Sequence, residues 1–156
     1  DSTPHDAYEM PRRHWFMKRW INHSAWYPDR KIRLFRKDRC HWGGYAPHDK
    51  VQVPGSLGRL RGDLHHFIYR DLSHFAATKN SYSTLTALDH FRSGRRAGIG
   101  DLTLRPLYAF LYRYLVRLGF LDGLPGFVIA VMESHGVFMK YMKLRELERR
   151  LGRFAE

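Results

Sequence analysis

The sequence predicts an α+β chain: short strands and loops over residues 1–70, then amphipathic helices over 71–156. Three observations carry that expectation. Apolar residues in the first part alternate over short spans between turn signals; after residue 71 they recur at three- and four-residue spacing. Composition shifts at the same place, from Trp, Tyr, His and Arg to a polar helix and loop (71–100), then to apolar and basic segments (101–156). The 156 residues, 44% of them hydrophobic, are enough to bury a core and argue against disorder.

In chain order, residues 11–21 suit a helix with Pro11 in its first turn. Residues 31–37 alternate Ile32 and Leu34 with Arg33, as a half-buried strand does. Gly43–Gly44 marks a turn, residues 50–55 a strand stopped by Pro54–Gly55, and residues 63–70 a third strand. Asp71 or Ser73 can cap a helix carrying Leu72, Phe75, Ala76, Tyr82, Leu85 and Leu88, closed by Gly94 and Gly98–Gly100. A second helix starts near Asp101. Leu104, Leu107, Tyr108, Leu111, Leu115 and Leu118 share one arc of it, and Arg105, Arg113 and Arg117 lie off that arc. Gly119 and residues 121–126 break the chain. Residues 127–132 form a short apolar run, and a last helix is expected over about 137–151.

The 27 Lys and Arg exceed the 15 Asp and Glu by 12 charges. With 15% aromatics, that excess calls for an anionic partner. A single cysteine, Cys40, excludes an internal disulfide framework and a multi-cysteine zinc site. The chain begins at Asp1 without a leader and reads as a piece of a longer protein or a processed product. No run of about 18 uncharged apolar residues is present.

Glycine-rich phosphate loops, GxSxG and HExxH are all absent. His65 and His66 are adjacent, so on a strand they point to opposite faces and cannot chelate one ion together. His48 and Asp49, after a Gly-rich turn, can offer an imidazole and a carboxylate to a metal or a substrate hydroxyl. Basic residues crowd the first forty positions between Trp15, Trp20, Trp26 and Tyr27. That pattern suits nucleic acid, a nucleotide-sugar or a phosphorylated glycan, and equally a solvated basic face over an aromatic core. The 101–118 helix suits a bilayer interface, and also an ordinary packed helix.

The phrases PRRHWFMKRWI, HSAWYPDRKIRLFRK, GRLRGDLHHFIYRDLSHF, NSYSTLTA, GRRAG and LYRYLVRLGFLDGLPGFVIAV…FMKYMKL, in this order, resemble the C-terminal half of bacterial family-2 glycosyltransferases of the lipopolysaccharide-core type. The resemblance runs from about Ala7 to Leu147. It implies short strands and loops of a truncated GT-A-type domain over 1–70, followed by a helical, membrane-associating region over 71–156. The nucleotide pocket and the acidic motif holding a divalent metal, Mg or Mn, would precede residue 1, so this chain alone would be inactive.

For the full-length enzyme the resemblance implies inverting transfer from a nucleotide-sugar to a lipid-linked glycan such as lipopolysaccharide core. The enzyme would sit peripherally on the cytoplasmic face of the bacterial inner membrane, with no nucleic acid as partner. Arg12, Arg13, Arg33 and Arg36 would meet phosphates, Trp26 and Tyr27 would form a sugar platform, and Asp29 would complete the Trp-Tyr-Pro-Asp motif. His48 and Asp49 would be catalytic, with His48 also a candidate metal ligand. They stand where the family shows His-Glu, after Pro47 in place of Val. A glycine usual before the Trp-Tyr pair is Ala25 here. Arg105, Arg113, Arg117, Leu107 and Leu111 would contact the membrane. The competing readings are a non-catalytic basic module binding anionic lipid or nucleic acid, and a plain helical interaction domain. A truncated sheet would also leave the N-terminal third loosely packed beside a self-sufficient helical half.

Overall fold

The structure, a computed structural model, describes residues 4–44 and 50–151. It is mixed α and β, with all strands preceding all helices: β1 (Ala7–Phe16), β2 (Arg19–Ile21), β3 (Asp29–Phe35), β4 (His41–Gly43), β5 (Lys50–Gln52), β6 (Leu57–Arg59), β7 (Leu64–Phe67), α1 (Leu72–Arg92), α2 (Ile99–Leu111) and α3 (Gly123–Leu151). A π-helical turn (Tyr112–Val116) and a 3-10 turn (Gly119–Asp122) link α2 to α3.

β1 organises the sheet. Along one edge it pairs antiparallel with β3 and then β2; along the other it pairs parallel with β6 and then β7. Residues 11–21 are therefore strand and hairpin, not the helix expected from Pro11. Pro11 falls between the spans of β1 that β6 and β7 pair, where a missing N–H breaks no ladder on that edge. Met17 and Lys18, at φ 47° and 61°, turn the chain between paired Phe16 and Arg19. Two left-handed residues in a two-residue loop match the twist of the strands, but the sequence lacks the Asn-Gly signature of such a turn.

β3 starts two residues before the expected strand and has a register shift opposite Tyr8/Glu9. That irregularity breaks the anticipated alternation and leaves Leu34 exposed. β4 and β5 form a separate antiparallel ribbon.

The core crosses residue 70. Phe16, Ile21 and Trp26 from the sheet side pack with Phe75 of α1 and Ile129 of α3, and the Tyr69 ring stacks on Phe75 at 4.1 Å. The N-terminal third is thus closed against the helices rather than loosely packed. A second cluster, Ala87, Tyr141 and Leu144, joins the far ends of α1 and α3.

Asp71 caps α1, its carboxylate accepting from His74 N–H at 2.7 Å. α2 begins at Ile99, with the Asp101 carboxylate accepting from Gly98 N–H at 3.0 Å. α3 is one helix of 29 residues, where a short run and a separate helix from 137 were expected. The apparent interruption, Glu133, is an internal ion-pair partner: it meets Lys79 of α1 at 2.5 Å and Arg113 at 3.4 Å. Ile129, Ala130, Tyr141 and Leu144 then continue one buried stripe. Glycines permit the tight α2–α3 corner. A Cβ on Gly126 would lie 1.9 Å from the Gly119 carbonyl oxygen, and one on Gly119 would lie 2.6 Å from Ser24 Oγ.

Candidate functional site

The loop after β2 carries Trp-Tyr-Pro-Asp and is fixed to the α2–α3 corner by Asp122. This fully buried carboxylate accepts from the backbone N–H of Asn22 at 3.2 Å and of His23 at 2.8 Å, and contacts His23 Nδ1 at 3.2 Å. Arg19 Nη1 donates to the Asp122 carbonyl at 2.9 Å, and Ser24 N–H to the Arg117 carbonyl at 3.0 Å. Ser24 and Ala25 are both left-handed, at φ 61° and 63°. The backbone there is the kind glycine adopts without strain, which gives a physical reason for a glycine at the Ala25 position.

The loop delivers Asp29 to one face of the sheet. Arg12 and His14 alternate along β1 onto that face. Arg12 grips Asp29 through Nε at 2.9 Å and Nη2 at 2.5 Å; Lys31 Nζ reaches it at 3.0 Å and His14 Nε2 at 3.4 Å. Partial burial pushes the Asp29 carboxyl up, but hydrogen bonds from His14, Lys31 and Arg12 outweigh it and hold the group well below the usual carboxylate range. His14 Nδ1 lies 3.0 Å from His66 Nδ1. Asp29 thus accepts from His14 at one ring nitrogen, and the other ring nitrogen of His14 shares a hydrogen bond with His66 Nδ1. Burial, then the charges of Arg12 and His14, depress protonation of His66.

The opposite face of β1 carries Arg13 and Trp15. Arg13 donates to Asn22 Oδ1 through Nε at 3.0 Å and Nη2 at 2.5 Å, and lies 3.9 Å from Asp63. Its guanidinium sits 6.0 Å from the Trp20 ring centroid and 5.9 Å from that of Tyr27. The Tyr27 hydroxyl donates to Asp63 at 3.0 Å, and that bond, then burial, raises its pKa. Trp20 stacks on His65 at 4.3 Å and lies 4.9 Å from Trp15 and 5.8 Å from the exposed Phe67. His65 and His66 point to opposite faces, as strand geometry requires. The result is a partly exposed aromatic surface beside an arginine whose closest partner is a neutral amide. Such a surface can stack a sugar ring and hydrogen-bond its hydroxyls.

The structure redistributes the expected binding residues. Trp26 is a core residue, between Phe16 and Phe75 at 5.8 and 5.7 Å, so its ring offers no sugar platform; Trp20 occupies the open face instead. Arg12 is neutralised by Asp29, and Arg36 is bound to Asp38 through two nitrogens at 2.9 and 3.2 Å, so neither is a free phosphate ligand. Arg33 is exposed and bonds the Ile32 carbonyl. Tyr27 and Asp29 belong to the two faces described. His48 and Asp49 lie outside the described residues, and among the described residues no three His, Cys, Asp or Glu side chains converge as a metal site. Asp122, Asn22, Asp63 and His66 are site residues the sequence does not single out, and Trp20 stands in it only as one of the aromatics among the basic residues. The order of histidines and aromatics on β1, β2 and β7 is a usable signal for His14, His66 and Trp20; the hundred-residue reach of Asp122 to Asn22 has none.

The helical half has an inverted amphipathic face. Leu104 and Tyr108 are each 67% exposed, and Leu107, Leu111, Leu115 and Val116 are exposed with them. Phe120, Leu121, Leu124 and Phe127 continue the apolar surface past the corner. Because the leucines face outward, Arg113 faces inward to Glu133 and is not a surface cation. Arg105, paired with Asp101, and Arg117 remain exposed. No single helix among the described residues is long and apolar enough to cross a membrane. Ile99–Val116 and Gly119–Leu151 reach that length and apolarity only together, bent by 68°.

Comparison with known proteins finds distant relatives. The chain is 26% identical over 97 residues to an uncharacterized glycosyltransferase of Rickettsia prowazekii (strain Madrid E), covering 62% of this chain and 33% of that protein. It is 27% identical over 125 residues to an uncharacterized glycosyltransferase of Rickettsia typhi (strain ATCC VR-144 / Wilmington), covering 74% of this chain and 43% of that protein. A third, of Rickettsia conorii (strain ATCC VR-613 / Malish 7), is 25% identical over 96 residues, covering 62% of this chain and 34% of that protein. The chain thus spans less than half the length of these relatives. No family model matches the sequence, and no solved structure matches it.

Proposed function

We propose that this chain is the acceptor-side, membrane-docking part of a glycosyltransferase. The weak similarity to proteins named as glycosyltransferases supports sugar transfer in the coarse sense. The observation that carries the finer reading is the continuous exposed apolar face of α2 and the α2–α3 corner, tied by Asp122 to the loop that bears Tyr27 and Asp29. That face would lie on the bilayer, and the tie would hold the Trp20–Tyr27–Arg13 surface at a fixed height above it.

In this reading the donor is a nucleotide-sugar and the acceptor a lipid-linked glycan, handled by an inverting enzyme of family-2, GT-A type. Trp20 and Tyr27 stack or edge the acceptor sugar, and Asp63 and Asn22 orient its hydroxyls. Arg13 meets a phosphate. A divalent ion, Mg or Mn, on the donor diphosphate would be held outside this chain, and the cytoplasmic membrane face would supply the acceptor.

The test is flotation of the chain on phosphatidylcholine vesicles with and without a lipid-linked oligosaccharide. Stronger binding to the glycan-bearing vesicles, lost in Trp20→Ala, is the expected result. Equal binding to both vesicles would contradict acceptor recognition. An increment that survives Trp20→Ala would contradict this surface as its source.

A further inference from the structure

The other end of the helical layer holds a group of cations that the proposed sugar surface does not use. Tyr141 of α3 is 2% exposed, and three cations surround its ring: Lys140 Nζ at 4.4 Å, the Arg95 guanidinium at 5.3 Å and that of Arg105 at 5.6 Å from the centroid. Arg95 also donates to the Tyr141 hydroxyl at 2.9 Å. Asp101 answers two of them, bonding Arg105 and lying 3.8 Å from Arg95. Lys140 has no carboxylate partner among the described residues. His90, 6.0 Å from Tyr141, adds a buried Nδ1 with no hydrogen-bond partner among them. The nearby Glu148 carboxylate is engaged by Ala97 N–H at 2.9 Å.

Three cations against one carboxylate, one of them half-buried and unpaired, is an arrangement that lacks an anion. Burial, then Arg95 and Arg105, makes the Lys140 ammonium easier to deprotonate, and a bound anion would remove that penalty. Two guanidiniums beside an ammonium match the oxygens of a phosphate. The position selects the source. Arg105 lies on α2 between Leu104 and Tyr108, which are among the most exposed residues of the apolar face, so a phosphate here would sit at the depth of a lipid headgroup.

We infer that Arg95, Arg105 and Lys140 form a binding site for the phosphate of an anionic phospholipid headgroup. This rests on the membrane-docking reading above and adds a specific lipid contact to it.

The experiment compares the whole chain with Lys140→Gln/Arg105→Gln on phosphatidylglycerol–phosphatidylcholine and on pure phosphatidylcholine vesicles. Arg92→Gln/Arg96→Gln removes two exposed cations from the same neighbourhood as a charge-matched control. A site predicts a loss of more than about a hundredfold on the anionic vesicles for the first pair, a loss of about thirtyfold or less for the control, and unchanged binding to phosphatidylcholine. Arg105→Lys, with Lys140 intact, should retain most of the binding.

Equal losses for the two double variants would reduce the cluster to general surface charge and overturn the site. So would wild-type binding by Lys140→Gln/Arg105→Gln, while leaving the docking face itself standing. Inorganic phosphate shifting the Lys140 and Tyr141 resonances without competing against anionic vesicles would assign the cluster to a soluble phosphate, and would overturn the lipid assignment.

Discussion

The Asp122 carboxylate holds His23 twice, through its backbone N–H at 2.8 Å and its ring Nδ1 at 3.2 Å, with no exposure to solvent. Residues ninety-nine apart in sequence thereby lock the loop of the sheet to the corner of the helices. Asp122→Ala should cost about 3 kcal/mol in urea unfolding, because it strands the Asn22 and His23 donors in a dry site. A loss below about 1 kcal/mol would show that the joint does not depend on this carboxylate.

Ala25→Gly should raise stability by about 0.5–1 kcal/mol. Ala25 is exposed and sits at φ 63°, so glycine relieves left-handed strain and removes no buried contact. The midpoint of chemical denaturation reads this directly, and a lowered midpoint would speak against the loop conformation.

Gly126→Ala should destabilise by about 2 kcal/mol or more, because the new Cβ meets the Gly119 backbone and not a movable side chain. Gly62→Ala, with open space around it, is the control and should stay within about 0.5 kcal/mol. Similar effects of both would mean that the α2–α3 corner is less tight than described.

Asp29 makes stability acid-sensitive. Its folded pKa is depressed, so its contribution is complete above the ordinary carboxylate pKa of about 4 and declines as pH falls below it. His66, also depressed, adds an earlier decline as pH falls through about 6.5, where the unfolded ring takes a proton first. Asp29→Asn should flatten the lower limb and His66→Gln the upper one, measured as unfolding free energy against pH. An unchanged profile in Asp29→Asn would contradict the Arg12–Asp29–His14 arrangement.

Local chemistry was legible in the sequence and long-range partnership was not. Asp71 announces its cap, and the opposed directions of His65 and His66 follow from strand periodicity alone. Residues 11–21 misled because Pro11 suits a first helical turn, while the Met17–Lys18 turn that makes them a hairpin carries no glycine. Glu133 looked like the end of an apolar run because its partners, Lys79 and Arg113, come from other elements.

Trp26 and Trp20 illustrate the same limit within the site. Both are tryptophans among basic residues, and only tertiary packing decides that Trp26 enters the core beside Phe75 while Trp20 stays at the surface with His65. The α2 stripe is visible in the sequence as a stripe. Its direction, outward, is set by Pro106 and Ala109 filling the inner side.

Membrane insertion of the α2 face is tested most directly by flotation of the chain on vesicles at high salt, with Leu107→Asp/Leu111→Asp alongside. Both side chains are exposed, so the variant should fold and melt like the parent. With α2 inserted, the parent stays bound at high salt and the variant is released, since apolar insertion is not screened and charged residues cannot enter. Equal retention of both, or release of both at high salt, would contradict a membrane-inserted α2 face.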